Sequence, residues 1–433
     1  MMNPRTLEAM RTQGFYEELA MKIKLFCVLS ALILGALLSI PPGTVSSQSR
    51  SSVFAITRAN VIDGLSNEPL LDVTVIVRDG RIEQIGKISP PEGVATIDLR
   101  GRWLLPGFVD AHAHIANLAA ARAALQSGVT TARDLGVNHF FDIGVRELNH
   151  AGVADLPDIV AAGYHVRPRP ADEMFVDIPK LSDLMGKTVS GTENVRRIVR
   201  AQIERGVNVI KTMATERAGL PDTDPRKRVF TDEEIAAIVD EARKSGIYVA
   251  AHAHGDEGAY AAVKAGVRSI EHGTYLTDRT LALMKERGTY LDPTIATVAD
   301  LIEPGGDYDN AILSIRGRHM LPRVREMAAK AWKMGIKLVA GSDTGYGPNS
   351  NRRMPHEIIE LAEIGMSPME AIKAATSVSA ECLGVEKRTG TIKPGLEADL
   401  LVVERNPLSD VKNLQDILLV INNGKVIVNR LDW

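Results

Sequence analysis

Hydrophobic positions in residues 53 to 103 fall in short runs, VFAIT, VTVIVRDG, RIEQIGK and ATIDL. Runs of this length bounded by turn residues predict β-strands, and Asp79-Gly80 predicts a hairpin between two of them. Residues 389 to 430 repeat the pattern in DLLVV, ILLVI and KVIV, with Asn423-Gly424 as the turn. The economical reading is one small β-sandwich-like domain built from both ends, residues 51–104 and 386–433.

The middle, residues 105–385, alternates differently. Eight apolar runs recur: GFVDAHAHI, GVTTARDLG, DIVAAGYHV, GVNVIKTMAT, GIYVAAHAH, RSIEHGTYL, TYLDPTIAT and KLVAGSDTG. Between most of them lie helix-like segments such as LAAARAALQS, ENVRRIVRAQIER, DEEIAAIVDEARK and EGAYAAVKA. Eight βα units predict an α/β fold, a (β/α)8 TIM barrel. The alternative, a doubly wound open sheet, lacks a phosphate-binding glycine fingerprint after the first strand. Three connections are long, 166–191, 216–231 and 298–318, and each follows a strand. In a barrel they overhang the C-terminal mouth, where substrates are held.

The N-terminus stands apart. Residues 1 to 20 are polar and mixed, then Met21-Lys22-Ile23-Lys24 precedes LFCVLSALILGALLSI and PPGTVSSQSRSS. A short basic stretch, an apolar core and small residues predict a signal peptide starting at Met21, behind an upstream extension. Residues 1–50 are therefore set aside from the fold. The expected location is secreted or periplasmic, with no stable membrane insertion after cleavage, since the run is short for a span. Cys27 falls inside the leader, without a lipoprotein-like setting, and leaves Cys382 alone in the mature chain. No internal disulfide is then available, and stability rests on packing and metal.

Composition narrows the function classes. The chain has 433 residues, 45% hydrophobic and 24% charged, which predicts a globular protein with a sizeable core. A net charge of −3 and 4% aromatics give no basic or base-stacking surface for nucleic acid. A small-molecule partner is expected, and a homo-oligomer is left open.

The polar residues of the apolar runs carry the chemistry. His112 and His114 are two apart at the end of the first run, so alternation sends both to one face and Ala113 to the other. Lys211 sits in VNVIKTMAT, where a charged amine is costly. His252, His272 and Asp343 end the fifth, sixth and eighth runs. Taken singly, each has a plain explanation: a satisfied histidine, a lysine reaching the rim, an aspartate capping a helix. In a barrel all six converge at one end, as a divalent-metal site requires.

The pattern resembles the amidohydrolase superfamily over nearly all of the mature chain. PGFVDAHAHI, the fourth-strand lysine, the HAH and EHG strands, AGSDTG and AIKAATSVSAECLGVEKRTGTIKPGLEADLLVV carry the resemblance. It is nearest the branch of imidazolonepropionase-like proteins and metal-dependent Xaa-Pro dipeptidases. The resemblance implies two divalent metal ions, His112, His114 and Asp343 on one, His252 and His272 on the other, with carbamylated Lys211 bridging both. It implies hydrolysis of an amide or peptide bond by a hydroxide held between the metals, with Asp343 as general base and acid. Zinc suits the N/O ligand set, and manganese and iron are compatible with it. The expected substrate is a dipeptide or an N-acyl amino acid.

His165 and His254 lie near the mouth, where each is a candidate to polarise a carbonyl or hold an oxyanion, or to be a rim histidine. The chain departs from the dipeptidases at His254, where they tend to carry tyrosine, and in GYHVRPRPADEMF, where they carry a GGHGD-like stretch. Arg167, Arg169, Arg217, Arg226 and Arg228 lie on the long connections as undifferentiated candidates for a substrate carboxylate. Two other readings compete. A cyclic-amide hydrolase of the imidazolonepropionase kind is expected to use one metal and no lysine bridge. A metal-containing binding protein that has lost catalysis would have no use for intact Asp343 and Lys211.

Overall fold

The computed structural model describes residues 52–348, 350 and 353–431. The leader expected from Met21 lies outside the described residues. The first strands are β1 (Val53–Val61), β2 (Leu70–Arg78), β3 (Arg81–Gly86), β4 (Ala95–Asp98) and β5 (Trp103–Pro106). Then come β6 (Phe108–Ala113), β7 (Val129–Asp134), β8 (Asp158–Ala161), β9 (Val209–Met213), β10 (Tyr248–Ala253), β11 (Ser269–His272) and β12 (Tyr290–Asp292). Near the C-terminal end are β13 (Leu400–Val403), β14 (Ile417–Asn422) and β15 (Lys425–Asn429).

One eight-stranded sheet joins both ends of the described chain, in the order β15-β14-β13-β5-β1-β2-β3, with β4 beside β1. Its apolar positions split by parity. Leu104, Leu400, Val402 and Leu419 pack with Ile56 and Val75, whereas Leu105, Leu401, Val403 and Val420 join the large core that includes the barrel helices. Burial on both faces explains why these strands read as continuous apolar runs. The hairpin signals are realised as two-residue turns: Asp79 and Gly80 have φ of 51° and 79°, Asn423 and Gly424 of 49° and 73°. The two tips abut, since a Cβ on Gly424 would lie 2.5 Å from Gly80 Cα.

The middle of the chain is the (β/α)8 barrel. Parallel strands form two arcs, β6-β7-β8 and β9-β10-β11-β12. Between the arcs, Asn208 N–H donates to Ala161 O at 2.7 Å and Val166 bridges Thr212. On the other side the KLVAGSDTG run closes the ring without forming a regular strand. It touches β12 through Leu291 and Leu338, and β6 through Ala113 and Thr344. The ladder breaks because Ser342 N–H donates to the Asp110 carboxylate at 2.9 Å rather than to a neighbouring carbonyl. Gly341 permits the approach: a Cβ there would lie 2.1 Å from Asp292 Oδ2 and 2.5 Å from His112 Cβ. The seventh run, TYLDPTIAT, also differs from expectation, as Pro293 and Thr294 (φ 45°) turn it into helix Ile295–Asp300.

The expected helices are present as Leu118–Gln126, Thr192–Glu204, Asp232–Lys244 and Asp256–Ala265. A capping box ends the second long connection: Thr231 Oγ1 accepts from Glu234 N–H at 3.2 Å, and Glu234 Oε2 accepts from Thr231 N–H at 2.8 Å. Inside the barrel, Val160, Val209, Ala250, Tyr290 and Val339 pack with Ala380, Cys382 and Leu383 of helix Ser377–Leu383. Cys382 is buried and unpaired, its thiol pushed up to about 11 by burial. None of the helices among the described residues is long and apolar enough to cross a membrane.

The abutting hairpin tips yield a stability prediction. Gly424→Ala adds a left-handed alanine and a clash with Gly80, so it should cost about 1–3 kcal/mol. Urea unfolding should register the loss while bound metal per chain stays unchanged; an unaltered midpoint would contradict the packing of the two turns.

Candidate metal centre

The six residues singled out on the strands meet at one end of the barrel. His112 ends β6 and His114 follows it; their ring centroids lie 5.2 Å apart, with Ala113 turned into the outer core. Asp343 Oδ1 stands 3.6 Å from His112 Nε2 and 3.3 Å from His114 Nε2. Lys211, from β9, is 1% exposed, and its Nζ lies 3.4 Å from His112 Nε2. His252 of β10 and His272 of β11 face each other at 4.5 Å between centroids, and His272 lies 5.3 Å from His112.

His114, His272 and His252 each have one nitrogen hydrogen-bonded by the protein. His114 Nδ1 bonds Gly136 O at 2.9 Å, and His272 Nδ1 bonds Thr294 Oγ1 at 2.7 Å. His252 Nε2 bonds Glu216 O at 3.1 Å. His112 Nδ1 faces Glu271 Oε2 at 3.2 Å. Such partners fix ring orientation and select the nitrogen left for a ligand. Burial also disfavours the charged forms of His112, His252 and His272, and ligation needs the neutral ring. His112 is pushed down to about 4, and His252 and His272 well below the ordinary imidazole value. Burial works to raise the Asp343 carboxyl, but the neighbouring His112 and His114 hold it well below the usual carboxylate range.

Among the described residues, ligand-capable atoms within 4.8 Å of one another form three groups: His112–His272–Asp343, His252–His254–His272 and His112–Glu271–Asp292. The donor set, neutral imidazoles with a carboxylate and open nitrogens turned inward, fits divalent metal. His254, two residues past His252, stacks on His272 at 4.6 Å, and its Nδ1 bonds Thr274 Oγ1 at 2.9 Å. Burial pushes it down to about 3. His165 lies 5.9 Å from His114 and lines the same cavity. Both mouth histidines are thus at the centre, His254 close enough to serve as a further nitrogen donor.

Lys211 has no carboxylate partner within ion-pair distance among the described residues, and burial pushes its amine down to about 8. The negative charge beneath it is already engaged. Glu271 Oε1 takes Arg133 Nη2 at 3.1 Å and Ser269 Oγ at 2.5 Å. Burial opposes the Glu271 charge, yet Arg133 holds the carboxyl well below its usual range. Asp292 lies 3.7 Å from His112 Nδ1 with both oxygens lacking a hydrogen bond. Burial and the adjacent Glu271 charge raise its carboxyl well above the usual carboxylate range. Sequence reasoning passed over Arg133, Glu271 and Asp292, although each stands in an apolar run as conspicuously as Lys211.

The inner cavity, about 50 Å³, opens between these groups and an apolar wall of Met213, Val298 and Leu301. It adjoins a chamber of about 410 Å³ lined by His114, His165, Arg167, Arg217, Tyr308 and Asp343 among others. All three long connections contribute to these walls.

Comparison with known proteins agrees with this geometry. The model of the amidohydrolase family matches residues 103–427. Ochratoxinase of Aspergillus niger is 28% identical over 423 residues, covering 87% of this chain and 86% of that protein. Imidazolonepropionase of Symbiobacterium thermophilum is 26% identical, covering 75% and 82%. A crystal structure of a Xaa-Pro dipeptidase with methionine bound in its active site superposes with a TM-score of 0.77 at 29% identity, covering 87% of this chain and all of that one. With three-quarters of its length matched by the family model, the chain belongs to the amidohydrolase family, and it is a hydrolase of C–N bonds.

Proposed function

We propose that the protein is a binuclear, zinc-dependent amidase that cleaves a dipeptide or an N-acyl amino acid. The observation that carries this is the convergence on one cavity of open imidazole nitrogens, the Asp343 carboxylate and a Lys211 that has no ion-paired carboxylate among the described residues. His112, His114 and Asp343 would hold one cation, His252 and His272 the other. Lys211 as the neutral amine adds to the carbon of CO2, loses one proton, and becomes an anionic bidentate carbamate that both cations can share. When bound, the two cations supply a water acidified to near neutral pH and a polarised substrate carbonyl.

The chain's own groups perform the rest. Asp343, beside His112 Nε2 and His114 Nε2, accepts the proton of the attacking water and delivers it to the departing nitrogen. His254, whose Nδ1 is bonded to Thr274 Oγ1, would in the tautomer protonated on Nε2 donate to the developing oxyanion. His165, which lines the same cavity, would serve as a second donor. Met213, Val298 and Leu301 limit water around the reacting carbonyl. The relatives support the substrate class, since the names Xaa-Pro dipeptidase and ochratoxinase belong to hydrolases on the same scaffold.

Three outcomes test this reading. Metal-loaded protein should hydrolyse members of a dipeptide and N-acyl amino acid panel, lose activity to chelator, and regain it with zinc plus bicarbonate; absence of turnover across the panel with metal bound would overturn it. Reconstitution should depend on pH through Lys211. The neutral amine becomes the major form as pH rises through about 8, so at fixed dissolved CO2 the rate of reactivation should climb between pH 6.5 and 8.5; a flat profile would exclude carbamate formation as the slow step. His254→Ala should retain bound metal and lose about 100- to 1000-fold in kcat. Metal loss in that variant, read by elemental analysis, would make His254 a ligand instead.

A further inference from the structure

The five arginines of the long connections, equivalent in the sequence, separate in the structure. Arg226 is paired with Asp224 at 3.1 Å and Arg228 with Asp232 at 2.6 Å. Arg169 is exposed and does not line the chamber beside the metal centre. Arg167 and Arg217 do line it, with His114, His165 and Asp343. Among the described residues neither guanidinium meets an acid within ion-pair distance. The chamber's other carboxylate, Asp307, accepts from Ser350 Oγ at 2.9 Å. Two partly buried like charges face one space, and Arg167 is lowered by burial and by Arg217 together. Unpaired cations in such a place are costly until an anion joins them. Arginine also offers forked donors matched to a carboxylate. Arg217 lines both the inner cavity and the outer chamber, whereas Arg167 lines only the outer one.

We propose that Arg217, seconded by Arg167, binds the free α-carboxylate of the amino acid whose nitrogen departs. This rests on the amidase reading above and narrows it. The substrate is an amide with an anionic carboxylate one carbon from the scissile nitrogen, and uncharged or carboxy-blocked amides are poor substrates. The apolar wall takes the side chain or acyl group, and the arginines set which end enters first.

The test compares N-acetyl-L-phenylalanine with N-acetyl-L-phenylalaninamide on zinc-loaded protein. The wild type should favour the acid, and Arg217→Met should lower kcat/KM for the acid about 100-fold more than for the carboxamide, as expected for a charged hydrogen bond. Arg217→Lys should recover part of the preference, and Arg167→Met should show a smaller loss of about tenfold. Equal losses on both substrates, or an unchanged ratio, would overturn the proposal. Binding of L-phenylalanine against L-phenylalaninamide by calorimetry separates this idea from the amidase reading. If no amide is cleaved, the hydrolase reading falls, yet the wild type should still bind the acid more tightly and Arg217→Met should erase the difference. Equal binding of the two by wild type would overturn the carboxylate site itself. Matching thermal melts and metal content of the variants confirm that folded protein is compared.

Discussion

A fully buried carboxylate, Asp110, takes over at the barrel seam the task that ladder bonds perform elsewhere. It accepts from Ser342 N–H at 2.9 Å, Ser342 Oγ at 2.5 Å, Tyr346 OH at 2.6 Å and His112 N–H at 3.0 Å. Burial raises its proton affinity while these four donors oppose that tendency. Both sides of the metal centre hang on this one group, since His112 lies two residues along β6 and Asp343 is next to Ser342. Losing the acceptor would strand several buried donors, each worth roughly 1–3 kcal/mol. The seam gives up regular strand geometry there, and Asp343 takes a φ of 44°. Strain of this kind persists only where surrounding contacts over-determine it.

Beneath the seam lies a dry layer of charge. Arg133 bonds Ala111 O at 2.7 Å and Ser269 Oγ at 3.1 Å while pairing with Glu271. Glu271 in turn faces His112, so the charge of Arg133 is relayed to the ring that stands beside Lys211 and Asp343. A buried ion pair is weak evidence for stability, because desolvation consumes much of its attraction. Its value here is positional: it aims His112 Nδ1 downward and leaves Nε2 for the centre. Asp292 stands in the same layer, its carboxyl raised by burial and by the adjacent Glu271 charge. The imidazoles of His112, His165, His252, His254 and His272 can crowd together because burial disfavours their charged forms.

The parts of this design readable in the chain are those governed by local periodicity and by the cost of burying charge. Parallel strands covered on both faces appear as apolar runs, and the turns at Asp79-Gly80 and Asn423-Gly424 require residues that accept positive φ. Lys211 was visible because nothing nearby in sequence justifies an amine in an apolar strand. The same argument applies to Arg133, Glu271, Asp292 and Asp110, whose partners lie far off in the sequence. Less legible was anything set by partners distant in sequence. The eighth run has a strand's composition, yet its ladder is interrupted by Asp110, 232 residues away from Ser342. In the seventh run the local warning, Pro293, was present, but the run's length concealed it.

Specificity sits at the far end of that scale, because it depends on which charges remain after the others have paired. Five arginines on two loops look alike as letters. Folding brings Asp224 to Arg226 and Asp232 to Arg228, and both pairs are local enough to suspect. What no local reading supplies is the chamber itself, whose walls come from residues 164–171, Arg217 and 307–308, with the ends of β6 and the closing run. On the proposed reading the barrel would hold the cations and a proton-accepting Asp343 at one depth, while the loops place the guanidinium groups of Arg167 and Arg217 around the adjoining chamber. A substrate with both an amide and a carboxylate can satisfy the two depths at once. Since the strands are committed to metal and seam, changes of substrate preference in this scaffold fall to the loops, where a single arginine can be gained or lost without reopening the barrel.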